Sequence, residues 1–212
     1  MRQEETEAER QMKKRLPVVI GVILTLAVAI WYGFTDKTHQ IYDNNVNTAV
    51  YSAIGIPHGD GYTVEQTFDC DEDRIDAFLI KSDVSGDYEN AVVKLQIYDP
   101  ETGELLSEGE EQGSNIKARK LHKYTVEPIE GYKGKPLRLV VSEENTTETD
   151  GITLYYQPGD DNNNFIVNGN PTSGVFIMKT VTQRFDLETC LVMLFAEWFI
   201  WGFMWFLYRL FK

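Results

Sequence analysis

Two unbroken apolar runs, one near each end of the chain, frame a middle in which apolar and polar residues alternate at short range. The first, Leu16 to Phe34 (LPVVIGVILTLAVAIWYGF), carries no charge. At about 1.5 Å rise per residue it is long enough to cross a hydrocarbon layer of roughly 30 Å. The second, Thr189 to Phe211 (TCLVMLFAEWFIWGFMWFLYRLF), has Glu197 as its one charge before Arg209. Transmembrane helices are therefore expected at 16–34 and 189–211. A cleaved signal peptide is the rival reading of the first run, but the run exceeds the usual apolar region of such a peptide. Trp31-Tyr32-Gly33-Phe34 also offers no small-residue cleavage site and suits an interfacial aromatic belt instead.

Between about Thr48 and Thr182, ten short runs rich in Val, Ile, Tyr, Phe or Thr are bounded by Gly, Pro, Asn or Asp. In order they are TAVYSAIGI, YTVEQTF, IDAFLIKS, AVVKLQIYD, GELLSEG, KYTVEPI, PLRLVVSE, GITLYYQ, NFIVNG and GVFIMKTV. Such runs read as strands. Within one of them Val93, Leu95 and Ile97 share a face and Lys94, Gln96 and Tyr98 the other, the period of a half-buried strand. Asp99-Pro100-Glu101-Thr102-Gly103-Glu104 reads as a hairpin turn. No helical pattern separates these strands. The expected fold is mainly β: an antiparallel β-sandwich or jelly roll over 35–188, flanked by the two transmembrane helices.

Charge sets the orientation. Arg10, Lys13, Lys14 and Arg15 precede the first span, and Arg209 and Lys212 end the second, while Lys37 stands alone just after Phe34. Positive flanks stay in the cytoplasm. Both termini are thus expected inside the plasma membrane, with 1–15 as a short cytoplasmic segment and 35–188 outside. That outer stretch holds 13 Lys and Arg against 28 Asp and Glu, a net of −15. Such a surface repels nucleic acid and anionic headgroups. Whole-chain mean hydropathy, −0.31, hides the two apolar ends. The two cysteines, Cys70 and Cys190, do not form a disulfide framework.

The order of parts from Val64 to Gln157 is distinctive. Gln66-Thr67-Phe68 leads an acidic turn and the strand Ile75 to Ile80, followed by the turn Gly86 to Asn90 and AVVKLQIYD. PETGELL, Tyr124 to Ile129, Gly134 to Leu139 and Gly151-Ile152-Thr153-Leu154 complete it. Over a little under half of its length the chain resembles the extracytoplasmic jelly-roll domains of bacterial membrane proteins from cell-surface polysaccharide and glycosyltransferase systems. Domains of that kind are similar in architecture to carbohydrate-binding modules.

Catalytic motifs are missing: no Gly-x-Ser-x-Gly, His-Glu-x-x-His, P-loop or dinucleotide fingerprint occurs. His39, His58 and His122 have no metal-ligand spacing. The acidic turns at Asp69, Asp71, Glu72 and Asp73, and at Asp160 and Asp161 with the asparagines after them, supply oxygens of the kind Ca²⁺ takes. Neither has the EF-hand register, and a dense acidic turn between strands is ordinarily just solvated. Adjacent Tyr155 and Tyr156 must point to opposite faces of their strand, leaving one to offer an aromatic face to a glycan.

The apolar ends carry sharper signals. Gly21, Thr25, Ala29 and Gly33 recur every four residues, a stripe of small side chains that admits another helix closely. A carboxyl within a span is costly enough to need a partner, and Glu197 shares a helical face with Trp201 and Trp205. The function expected is that of a non-enzymatic, membrane-anchored accessory subunit without a cofactor. Its helices, in the lipid bilayer, would dock on a larger integral membrane protein, which the resemblance makes a glycosyltransferase or polysaccharide exporter. The alternative is a stand-alone carbohydrate-binding or receptor-type surface anchor.

Overall fold

The computed structural model describes residues 7–34, 36–59, 61–159, 164–183 and 185–211, with the side chains of 7–15, 17 and 18 left aside. The chain divides into two compact units, Lys37–Gln183 and the pair of terminal segments Met1–Asp36 and Arg184–Lys212.

The terminal unit consists of helices α1 (Glu7–Gly33) and α2 (Leu187–Leu210). Helix α1 begins earlier than the apolar run, taking in the basic segment before it. Helix α2 starts where Asp186 caps it: one carboxylate oxygen accepts the Glu188 amide at 3.0 Å and the other the Thr189 hydroxyl at 2.6 Å. Helix α2 is long and apolar enough to cross a membrane; the described apolar stretch of α1, Val19–Gly33, is shorter.

The middle unit contains β1 (Lys37–Gln40), β2 (Ser52–Gly55), β3 (Val64–Asp69), β4 (Arg74–Ser85), β5 (Val92–Tyr98) and β6 (Leu105–Gln112). After these come β7 (Lys120–Glu130), β8 (Pro136–Glu144), β9 (Gly151–Pro158), β10 (Phe165–Val167), β11 (Asn170–Pro171), β12 (Gly174–Phe176) and β13 (Met178–Thr182). They form two antiparallel sheets. One runs β1-β13-β4-β9-β12, with β2 on β9 and β7 on β4; the other runs β11-β10-β3-β8-β5-β6.

Each of the ten expected runs contains a strand. The first splits, because the Asn47 side chain accepts the Ala49 amide at 2.9 Å and turns Thr48–Val50 into a single 3₁₀ turn before β2. Strands β1 and β11 lie outside the expected runs: KTHQ has no apolar period, and it is a strand only because β13 pairs with it. In the Asp99–Glu104 turn, Gly103 has φ of 75° and donates its amide to the Asp99 carbonyl at 2.8 Å.

Alternation decides what faces inward. Val93, Leu95 and Ile97 of β5 and Leu137, Leu139 and Val141 of β8 are buried, and they share one apolar cluster with Phe78 and Ile80 of β4 and Ile152 and Leu154 of β9. Both sheets thus contribute to a single core. At its end Tyr156, Phe165 and Phe176 stack in succession, at 5.4 and 6.3 Å between ring centroids. Asp76 interrupts the apolar run of β4 at a bulge. It stays buried because Arg74 Nε at 2.6 Å and the Gln183 amide at 2.7 Å both donate to it.

Candidate functional site

The described side chains of α1 are exposed except for four: Gly21, Thr25, Ala29 and Gly33, the small-residue stripe. What covers them is α2 of the same chain. A Cβ on Gly21 would touch the Trp201 ring at 3.3 Å, and one on Gly33 would run into the Phe185 ring. The Gly33 carbonyl accepts the Asp186 amide at 2.7 Å, and Phe34 packs on Phe185 at 5.0 Å. Gly21 opposite Trp201 and Gly33 opposite Phe185 make the helices an antiparallel pair, because the numbers rise on one and fall on the other. The stripe assigned from sequence to a partner helix is thus taken up by the chain's own second helix.

On α2 the side chains that are not exposed are Thr189, Cys190, Met193, Leu194, Glu197 and Leu207. Five of these recur at three- and four-residue spacing and form the seam toward α1. Glu197 belongs to it. Four residues before Trp201 on one helix and four after Gly21 on the other bring Glu197 level with Thr25. Its Oε2 is buried and makes no hydrogen bond among the described residues. Trp201 spans seam and surface, since its ring covers Gly21 yet is mostly exposed. Trp205 is exposed, with the Arg209 guanidinium 5.7 Å above its ring.

One flank of the pair is an apolar groove, with Val22 and Leu26 on one wall and Leu191, Phe195 and Trp198 on the other. Trp198 lies at the midpoint of α2 and is 74% exposed. Its indole N–H places one hydrogen-bond donor at the centre of an otherwise apolar surface.

The other residues singled out from sequence are distributed as follows. The Asp71 carboxylate lies 3.1 Å from His39 Nε2, and Asp73 lies 3.2 Å from Lys133 Nζ. Asp69 instead ends β3 and borders a small polar cleft with Thr67 and Gln40. Among the described residues no three of His, Cys, Asp and Glu converge so as to hold a metal ion. Asp160 and Asp161 lie outside the described residues. Tyr156 turns inward onto Phe165, whereas Tyr155 turns outward, its hydroxyl 3.3 Å from Asp83 and its ring covered by the Lys81 ammonium at 5.7 Å. The opposite orientations follow the strand period.

A polar row inside the middle unit had no sequence signal. Glu143 continues the inward series Leu137, Leu139, Val141 on β8, pairs with Val93 of β5, and Val93 pairs in turn with Glu111 of β6. Across from them the Tyr124 and Ser82 hydroxyls meet at 2.8 Å, and His122 Nε2 lies 3.8 Å from Glu111. Burial pushes the Tyr124 phenol well above its ordinary range. In the sequence a glutamate in SEEN reads as the polar end of a strand. Only the count of inward positions along β8 could have placed it inside.

Comparison with known proteins adds no relative: no protein family matches this sequence, and no curated protein matches it.

Proposed function

We propose that the chain is a non-enzymatic accessory subunit of the plasma membrane. In this reading α1 and α2 both cross the bilayer as an antiparallel hairpin, with the termini in the cytoplasm. The two sheets close as a jelly-roll sandwich on the outer side. The hairpin docks on a larger integral membrane protein, of the glycosyltransferase or polysaccharide-export class that the resemblance implies, and the acidic sandwich meets that protein or its emerging glycan.

The observation that carries the proposal is the exposed centre of α2. The chain's own helix pairing satisfies the small-residue stripe and the seam, yet leaves Trp198 at the midpoint of an apolar helix with Phe195 beside it, along an open groove. Aromatic residues of this kind concentrate where a surface is buried by another protein, and tryptophan prefers the membrane interfaces to the bilayer centre.

The test is purification of the tagged full chain from its native membrane in mild detergent. A membrane protein recovered in stoichiometric amount with the wild type, and lost with Trp198→Ala combined with Phe195→Ala, is the expected result. Recovery of the chain alone, or a complex indifferent to both substitutions, overturns the docking role.

A further inference from the structure

The crossover from β8 to β9, residues 145–150, joins the two sheets and has a carboxyl group on each side of it. On the inner side, Glu143 is 5% exposed. Its Oε2 accepts the Ile152 amide at 3.0 Å, and its Oε1 is buried without a hydrogen bond among the described residues. Gly151 makes the approach possible, since a Cβ there would press on Ile56, Thr146 and the Glu143 carboxyl together. On the outer side, Asp150 accepts the Asp87 amide at 3.0 Å and the Thr147 hydroxyl at 2.7 Å, in the space left by Gly86, whose φ is 55°.

The groups packed around Glu143 offer little to a negative charge. Strand β4 contributes the Ser82 hydroxyl, already bonded to Tyr124. Strand β5 contributes Val93, and β6 contributes Glu111, a second carboxyl in the same inward row, roughly 10 Å away at two strand spacings. Strand β7 contributes Tyr124, whose hydroxyl lies within electrostatic reach of both carboxyls, and His122, which lies against Glu111. Strand β9 contributes the Ile152 amide alone, and Thr146 of the crossover itself bonds the Pro57 carbonyl at 2.9 Å.

We propose that Glu143 is a proton-controlled latch on the β8–β9 crossover: as the neutral acid it stays buried beside the Ile152 amide and lets the two sheets close at this end, and loss of its proton to solvent drives the carboxylate outward and opens them. An ionised carboxylate here would keep one donor and face Glu111, too little to offset its desolvation.

The titration follows from this geometry. Burial raises Glu143 from 4.5 to about 8, opposed by the Ile152 hydrogen bond. A carboxyl raised in the folded state contributes stability that is complete below its unfolded value and is lost as pH climbs from about 4.5 to about 8. Over that window the folding equilibrium constant falls by up to about tenfold per pH unit. Asp150 has the opposite sign. The Thr147 hydroxyl first, then the Asp87 amide and the Thr149 hydroxyl, hold it below its ordinary value, so its contribution is present in neutral solution and disappears in acid. The crossover is closed from both sides only between the two.

The test uses the full chain in detergent micelles. All four tryptophans lie in α1 and α2, so the strand signal in circular dichroism, and not tryptophan fluorescence, follows the middle unit. The midpoint temperature should fall steadily from pH 5 to pH 8 in the wild type. In Glu143→Gln, which keeps an acceptor for Ile152 without a titrating charge, that fall should vanish. An equal fall in the variant, or no fall in the wild type, overturns the latch. Should the variant fail to fold, carboxyl ¹³C resonances of the wild type decide: a Glu143 midpoint near the ordinary glutamate value refutes the latch, and one well above it supports it.

Discussion

Ser82 and Tyr124 meet at 2.8 Å inside the core, one from β4 and one from β7. The Ser82 hydroxyl also donates to the Ile80 carbonyl at 3.3 Å, whereas Tyr124 depends on Ser82, and an unpaired buried hydroxyl costs about 1–3 kcal/mol. Ser82→Ala should therefore destabilise the middle unit by about that amount, as it strands the Tyr124 hydroxyl. The double variant Ser82→Ala with Tyr124→Phe should recover part of the loss, and a thermal-unfolding double-mutant cycle reads the difference. Strict additivity of the two substitutions would show that the hydroxyls do not depend on each other. The same logic sets Asp76 apart from the acidic surface: it is buried, and two donors hold it. Types alone did not separate Asp76, Glu143 and Ser82 from the many exposed polar residues around them. Position along a strand, counted from its apolar neighbours, did.

At the scale of elements, the helices and most strands were legible, because a period of 2 and a long apolar run are local properties of the chain. The partner of the small-residue stripe was not. Any helix with a matching surface satisfies Gly21, Thr25, Ala29 and Gly33, and the antiparallel contacts Gly21–Trp201 and Gly33–Phe185 show that α2 does. Gly33→Leu should push Phe185 away and open the seam next to Cys190, which is buried in the wild type. In a Cys70→Ser background, maleimide labelling of Cys190 in detergent should rise several-fold. Adding Phe185→Ala should return it toward the wild-type rate. Labelling unchanged by Gly33→Leu would mean that the helices do not pair through this contact. Strand β1 is the reverse case, an element without a local signal that pairing with β13 alone creates.

At the scale of the whole molecule, charge and apolar content are sharply segregated. The acidic residues concentrate in the stretch between the helices, and the exposed apolar side chains concentrate on the helices themselves. Segregation of this kind underlies the proposed topology. Protease added to intact cells should remove the middle unit and leave tags at Met1 and Lys212 protected. Digestion of the terminal tags with the middle unit intact would invert the orientation and remove the proposed outer role of the sheets.

The sequence by itself determined what depends on neighbours along the chain: two apolar helical ends, ten short strands, the Asp99–Glu104 turn, and the division of charge. Tertiary structure decided what depends on residues far apart in number. It set the order of strands in the two sheets, the pairing of the small stripe with α2, the place of Glu197 in that seam, and the enclosure of Glu143 beside Ile152. The reason is physical. Backbone period and hydropathy act over a few residues, whereas burial of a polar group depends on which distant surface closes over it, and that surface exists only once the chain has folded.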